Sequence, residues 1–211
     1  MVVREETRPD AGAAGPAEFR AAVAGMHAAT LRPEIFCEEM PAPQRIAPYA
    51  TALSADVTVD DTDVATGRLI LLHDPDGNDA WGTTVTGSGR FRLVAYARAE
   101  IDVELITDDM LGEVGWSWLT EALDAHGAGY TAASGTVTRV ATESFGGMAD
   151  EEGTAQIEIR ASWTPVEDES GAVAVRPHAE AWGELLCTAA GLPPVPEGVV
   201  VIPSRRGQRG S

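Results

Sequence analysis

A chain of 211 residues, 44% apolar and 6% aromatic with a net charge of −18, has room for one domain with loose ends, and its sign opposes binding to nucleic acid or an anionic membrane. All 15 basic residues are Arg, which excludes chemistry that needs a Lys amine: a Walker phosphate loop, a kinase strand Lys or a pyridoxal Schiff base. No apolar run reaches the roughly 20 residues of a bilayer span, residues 1–8 carry no secretory core, and Cys37 and Cys187 are too isolated for a disulfide framework or zinc site, so a reduced, cytoplasmic protein is expected.

Residues 1–15 read as a disordered leader, 16–191 as one α+β domain, and 192–211 as a disordered tail with four Pro that ends in Arg205, Arg206 and Arg209. A helix starts at Pro16 and aligns Phe19, Val23, Met26 and Thr30 before Arg32-Pro33 stops it. Four prolines from Pro33 to Pro48 predict an extended strap, anchored by Ile35, Phe36, Met40 and Ile46. Strands follow at Leu53–Val59 and Arg68–His73, then a turn over His73–Asp79. The next strand, Phe91–Ala99, puts Phe91, Leu93, Ala95, Ala97 and Ala99 inward and Arg90, Arg92, Val94, Tyr96 and Arg98 outward. Thr107, Asp108 and Asp109 begin a second helix that Gly127 closes. Tyr130–Thr142 is a Thr- and Val-rich strand, with Gly135 marking a bend. Ala155–Trp163 alternates again, and a last helix from His178 to Ala190 buries Trp182, Leu185, Leu186 and Ala189 and stops at Gly191. The sum is an α+β fold: an antiparallel sheet of about five strands with helices on one face, in the order α-β-β-β-α-β-β-α.

Motifs for chemistry fail one by one. Gly115-Trp116-Ser117-Trp118-Leu119 starts like a nucleophile elbow, but Leu119 stands where Gly is needed and Ser117 lies mid-helix. Asp74, Asp76 and Asn78 have calcium-loop spacing, yet Asp79 and Val85 occupy the positions that require Gly and Glu. His27, His73, His126 and His178 lie on separate elements, and no dinucleotide fingerprint surrounds Gly82, Gly87 and Gly89. Thr83–Ser88 reads as a flexible loop, and Glu143–Met148 as a hairpin connection or a binding loop. No catalytic residue, metal ligand or cofactor is therefore assigned.

Two features point to association. In the second helix Leu111, Val114, Gly115, Trp118 and Ala122 share a stripe, whereas Trp116 and Leu123 lie about 120 to 140° away and need their own cover. The strap, the last helix or a second copy of the chain would supply it. The other feature is the outward set Arg90, Arg92, Tyr96 and Arg98, with Arg160 on a second strand. Arg beside an aromatic suits an anionic ligand or acidic peptide, and pairing with Glu100, Glu143 and Glu158 would equally account for it.

The strings Gly115–Leu123, Thr131–Thr138, Ser144–Met148 and Pro41–Tyr49 together resemble an actinobacterial family known as domain of unknown function number three thousand. The likeness covers roughly Ala17 to Pro165, with Gly82–Gly89 longer than the family pattern. It implies an actinobacterial cytosolic origin and carries over no activity, cofactor or catalytic residue. The element order and acidity are also similar to the secretion-chaperone-like fold of small acidic dimers that bind other proteins. The leading expectation is a non-enzymatic interaction or adaptor module, a homodimer, that binds an unknown protein partner through the outward sheet face or Trp116. The alternatives are an anionic-ligand binder or enzyme at Arg92, Tyr96 and Arg98, and RNA contact through the Arg tail.

Overall fold

A computed structural model describes residues 15–150 and 152–194; the expected leader and most of the expected tail, including its Arg residues, lie outside them. The order is α1 (Ala17–His27), β1 (Ile35–Met40), β2 (Tyr49–Val59), β3 (Thr62–Thr84), β4 (Gly87–Ile101), α2 (Leu111–Ala125), β5 (Tyr130–Thr142), β6 (Thr154–Pro165) and α3 (Val175–Ala189). The strands make one antiparallel sheet in the order β1-β2-β3-β4-β6-β5. The α+β class and the rough element order stand as expected, with six strands among the described residues in place of about five.

The extra strand is β1, inside the expected strap. Ile35–Met40 pairs in full with Val57–Ala52 of β2: its prolines lie on either side, at Pro33 and Pro41, so none removes a ladder N–H. The expected turn over His73–Asp79 is not a reversal. Register slips from His73↔Phe91 to Asn78↔Gly89, and the chain continues to Thr84 before turning back at Gly87. Gly77 and Gly82, at φ +78° and +85°, absorb the bend that an Asp-Gly hairpin turn would otherwise have made.

One face of the sheet carries the core. Leu53, Ala55 and Val57 of β2, Leu69 and Leu71 of β3, and all five predicted inward residues of β4 are buried, together with Ala155, Ile157, Ile159, Ala161 and Trp163 of β6. Phe19, Val23 and Met26 of α1, Leu119 and Leu123 of α2, and Trp182, Leu185 and Leu186 of α3 join the same cluster. Small residues set how closely α3 can approach: a Cβ at Gly67 would lie 2.6 Å from Leu186. Replacing that Gly would push the helix off the sheet and open the core beneath it.

The second helix differs from expectation at both its start and its stripe. Val103–Thr107 forms a 3-10 turn, Asp108 Oδ1 accepts from Met110 N–H at 2.8 Å, and α2 begins at Leu111. Leu111, Gly115, Leu119, Ala122 and Leu123 are buried, while Val114 is 40% exposed. Leu119 and Leu123 take the deep positions because α2 packs on α3 as well as on the sheet. The bend in β5 falls at Ala132, φ +50°, where register slips between Thr131 and Ser134. Gly135 serves another purpose: a Cβ there would lie 2.7 Å from the Trp116 ring and strike the Arg160 carbonyl. Trp116 thus lies over the edge strand of its own chain, and the expected stop at Gly127 is present at φ +64°.

Candidate interaction face

The face of the sheet opposite the helices is built from cross-strand rows. Register aligns Glu38, Ser54, Arg68, Tyr96, Arg160 and Thr136 across all six strands, and the next row is Met40, Ala52, Ile70, Val94, Ser162 and Ser134. Arg68 and Arg160, both exposed, therefore stand on either side of Tyr96, with the apolar side chains of Ile70 and Val94 one row away. These residues line a shallow groove of about 380 Å³.

The groove is electrostatically structured. Tyr96 O–H donates to Glu158 Oε1 at 3.2 Å, and burial with the Glu158 charge raises the phenol pKa, which keeps it a donor. Arg160 Nη2 donates to Glu158 Oε2 at 3.0 Å, and its Cζ sits 5.6 Å from the Tyr96 ring centroid. Arg98 Nε donates to Gln156 Oε1 at 3.0 Å. The Arg–Glu pairing open at the level of sequence is realised within β6, between Arg160 and Glu158, whose cross-strand bond comes from Tyr96, and Arg98 bonds Gln156 rather than Glu100 or Glu143.

Two of the predicted face residues are engaged within the protein, away from the groove. Arg92 is 7% exposed and donates to Ala132 O at 2.9 Å, Thr164 Oγ1 at 3.1 Å, Ser134 Oγ at 3.3 Å, and Ser162 O and Oγ at 3.2 and 2.7 Å. Burial lowers its pKa. Its fork stitches the irregular start of β5 to β6, which occupies the guanidinium within the protein. Arg90 instead joins a polar cluster with Glu18 of α1 (3.3 Å) and Glu167 (3.4 Å), and donates to Gly171 O at 2.8 Å. Glu18 also lies 3.1 Å from His73 Nε2 in poor hydrogen-bond geometry, and His73 stacks on Phe91. Burial pulls the His73 pKa down, against the opposing pull of Glu18. Buried Glu167 accepts from Thr84 Oγ1 at 3.1 Å and from Thr86 Oγ1. That pins the β3–β4 tip, the stretch expected to be a flexible loop.

Arg68 and Ile70 were missed as face residues, and Val94, read as outward, was not counted among the binding residues. The signal was present, because Arg68, Ile70 and Leu72 are the even positions of a predicted strand; the odd positions, Leu69 and Leu71, are equally apolar and hide the alternation. Trp116 stays partly exposed on the helix side, remote from this face by the thickness of the sheet.

Fold and face together define, among the described residues, a one-sided α+β sheet protein with three helices on one surface and a bare, Arg-flanked apolar groove on the other. The chain matches, over residues 15–200, the family described as a protein of unknown function, DUF3000, and belongs to it. No curated protein and no solved structure matches it. Among the described residues, no helix is long and apolar enough to cross a membrane.

Proposed function

We propose that this protein is a non-enzymatic interaction module whose bare sheet face receives an apolar protein segment carrying acidic side chains. The observation that carries the reading is the juxtaposition of Ile70 and Val94 with exposed Arg68 and Arg160 around Tyr96, in a chain of net charge −18. An acidic partner would meet repulsion over much of such a surface and attraction at this groove, which gives position as well as affinity. Support for cytoplasmic residence comes from Cys37 and Cys187, both free thiols. The Lys-free, Ala- and Gly-rich composition supports an actinobacterial source. Arg92 is held by its own protein, so the groove rests on Arg68 and Arg160 rather than on an Arg92-centred anion site.

Selection from a displayed random-peptide library tests the reading. The expected winners combine an apolar core with Asp or Glu, and lose binding to Arg68→Glu and Ile70→Asp variants that keep the wild-type melting temperature. Winners indifferent to both substitutions would place binding elsewhere.

A further inference from the structure

The two edges of the described sheet differ. β1 is six residues long and bracketed by Pro33 and Pro41, the short form that resists a further strand. β5 runs for thirteen residues, pairs only with β6 among the described residues, and holds no Pro and no carboxylate. Its one charge is Arg139, whose Nη1 donates to Asp108 O at 2.7 Å. Such an edge offers a row of N–H and C=O groups to another strand. Two copies of a chain of net charge −18 repel over most of their surfaces, and a strand free of carboxylates is where they can approach.

The helix above this edge is placed for the same contact. A Cβ at Gly115 would lie 2.9 Å from Ile157 of β6 and 3.2 Å from Val137 of β5, so α2 rides over the boundary between the last two strands. Trp116, over the edge strand at Gly135, stays partly exposed. With β5 paired to β5 of a second copy at the usual spacing of about 4.8 Å, the two α2 helices stand two spacings apart, about 9.6 Å, within the ~8–10 Å of packed helices. The two Trp116 rings then fill the seam between them.

That pairing also fixes the ends. Antiparallel about Thr136, the midpoint of β5, it sets Arg139 opposite Ala133 rather than opposite its own counterpart, and Thr142 opposite Tyr130. Phe145 follows Thr136 by nine residues and Gly127 precedes it by nine, so Phe145 of one copy arrives at the Gly127–Gly129 turn of the other. Phe145 is 76% exposed. At the turn lies an open pocket of about 540 Å³ lined by Leu123, Gly127, Ala128, Gly129 and Tyr130, among others. An exposed ring and a pocket at equal distances on either side of one midpoint are self-complementary, as a twofold contact requires. A strip about 44 Å long and about 20 Å deep, the sheet with its covering helix, gives about 900 Å² on each copy, against ~800 Å² per partner in a standard interface.

We propose that the protein is a twofold dimer in which β5 pairs antiparallel with β5 of a second copy about Thr136, joining the two sheets, while Phe145 of each copy enters the α2–β5 pocket of the other. The Tyr96 groove lies two strands in from this edge on the opposite face, so the dimer and the sheet-face function can fail separately.

Sedimentation of the full chain is expected to give twice the 22.1 kDa of one copy. Phe145→Asp, at a position exposed in the single chain, should raise the dimer dissociation constant at least about a hundredfold with an unchanged circular-dichroism spectrum. Thr136→Cys in a Cys37→Ser background reads the register. A residue on the axis faces itself with Cα atoms roughly 4.5–5.5 Å apart, so mild oxidation should link two copies through it. Thr142→Cys in the same background, whose counterpart stands about 40 Å away, should stay unlinked. A monomeric wild type, a dimer that survives Phe145→Asp, or a Thr136→Cys variant that links no better than Thr142→Cys would overturn the proposal.

Discussion

Trp163 Nε1 donates to His178 Nδ1 at 3.0 Å inside the core, with both side chains almost wholly removed from solvent. The bond requires an unprotonated Nδ1, so the imidazole is neutral with its proton on Nε2. Burial drives its pKa down to about 4.

That depression makes stability depend on acidity. The unfolded imidazole titrates near 6.5 and the folded one near 4, so between these values the unfolded chain binds the extra proton and stability falls as pH falls. Replacement of His178 by Asn keeps an acceptor for Trp163 and removes the titration. Between pH 7 and 4.5 the wild type should lose roughly 2 kcal/mol more than the variant in urea unfolding, carboxylate effects being common to both. Equal losses would mean that the buried ring is not held neutral.

Gly135 and Trp116 form a second coupled pair. Gly135→Ala forces the ring and the Arg160 carbonyl apart and should cost about 1–3 kcal/mol. Trp116→Ala should cost about 2–3 kcal/mol by uncovering β5. Because the ring clash disappears in the double variant, the two costs should sum to more than the double variant shows. Strict additivity in chemical denaturation would separate the two residues.

Arg92→Met leaves the Ser162 and Ala132 carbonyls without their donor in a buried setting. A loss of about 3 kcal/mol is expected. Arg92→Lys should recover less than half, since an ammonium cannot span acceptors on two strands. Full recovery by Lys in thermal melts would argue against the fork.

Glu167→Ala releases Thr84, Thr86 and Arg90 together. The β3–β4 tip around Val85, 76% exposed, should become a preferred site of limited proteolysis while the helices hold, with a global cost of about 1–3 kcal/mol. An unchanged cleavage pattern would show that the tip is ordered by its own hairpin.

How much of this was legible depended on whether one strand face differed from the other. β4 and β6 alternate cleanly, and their inward residues and the outward placement of Tyr96, Glu158 and Arg160 followed from period 2, whereas the register that brings these three together did not. β1 was hidden because prolines at Pro33 and Pro41 dominate the local reading, although neither lies inside the strand. The long β3 arm was hidden because Asp74-Pro75-Asp76-Gly77 has turn chemistry that the structure uses as a bulge. Arg92 illustrates a different limit. Alternation places it on the outward face correctly, but only the slip at Ala132 brings Ser134 and the Ala132 carbonyl over it and removes it from water. No local signal in the sequence encodes that closure.

The strand order has a consequence for synthesis on the ribosome. The four-strand meander β1–β4 can assemble as it emerges, since each strand meets its neighbour next in the sequence. β5 cannot, because the place beside β4 belongs to β6, which is made later. Until residues 154–165 have left the exit tunnel, β5 has no ladder to join. Until α3 follows, Leu119 and Leu123 have no second wall. A nascent chain stalled anywhere in that interval presents an apolar helix and an unpaired edge at once, so this half of the molecule is where a trigger factor or holdase would have most to cover.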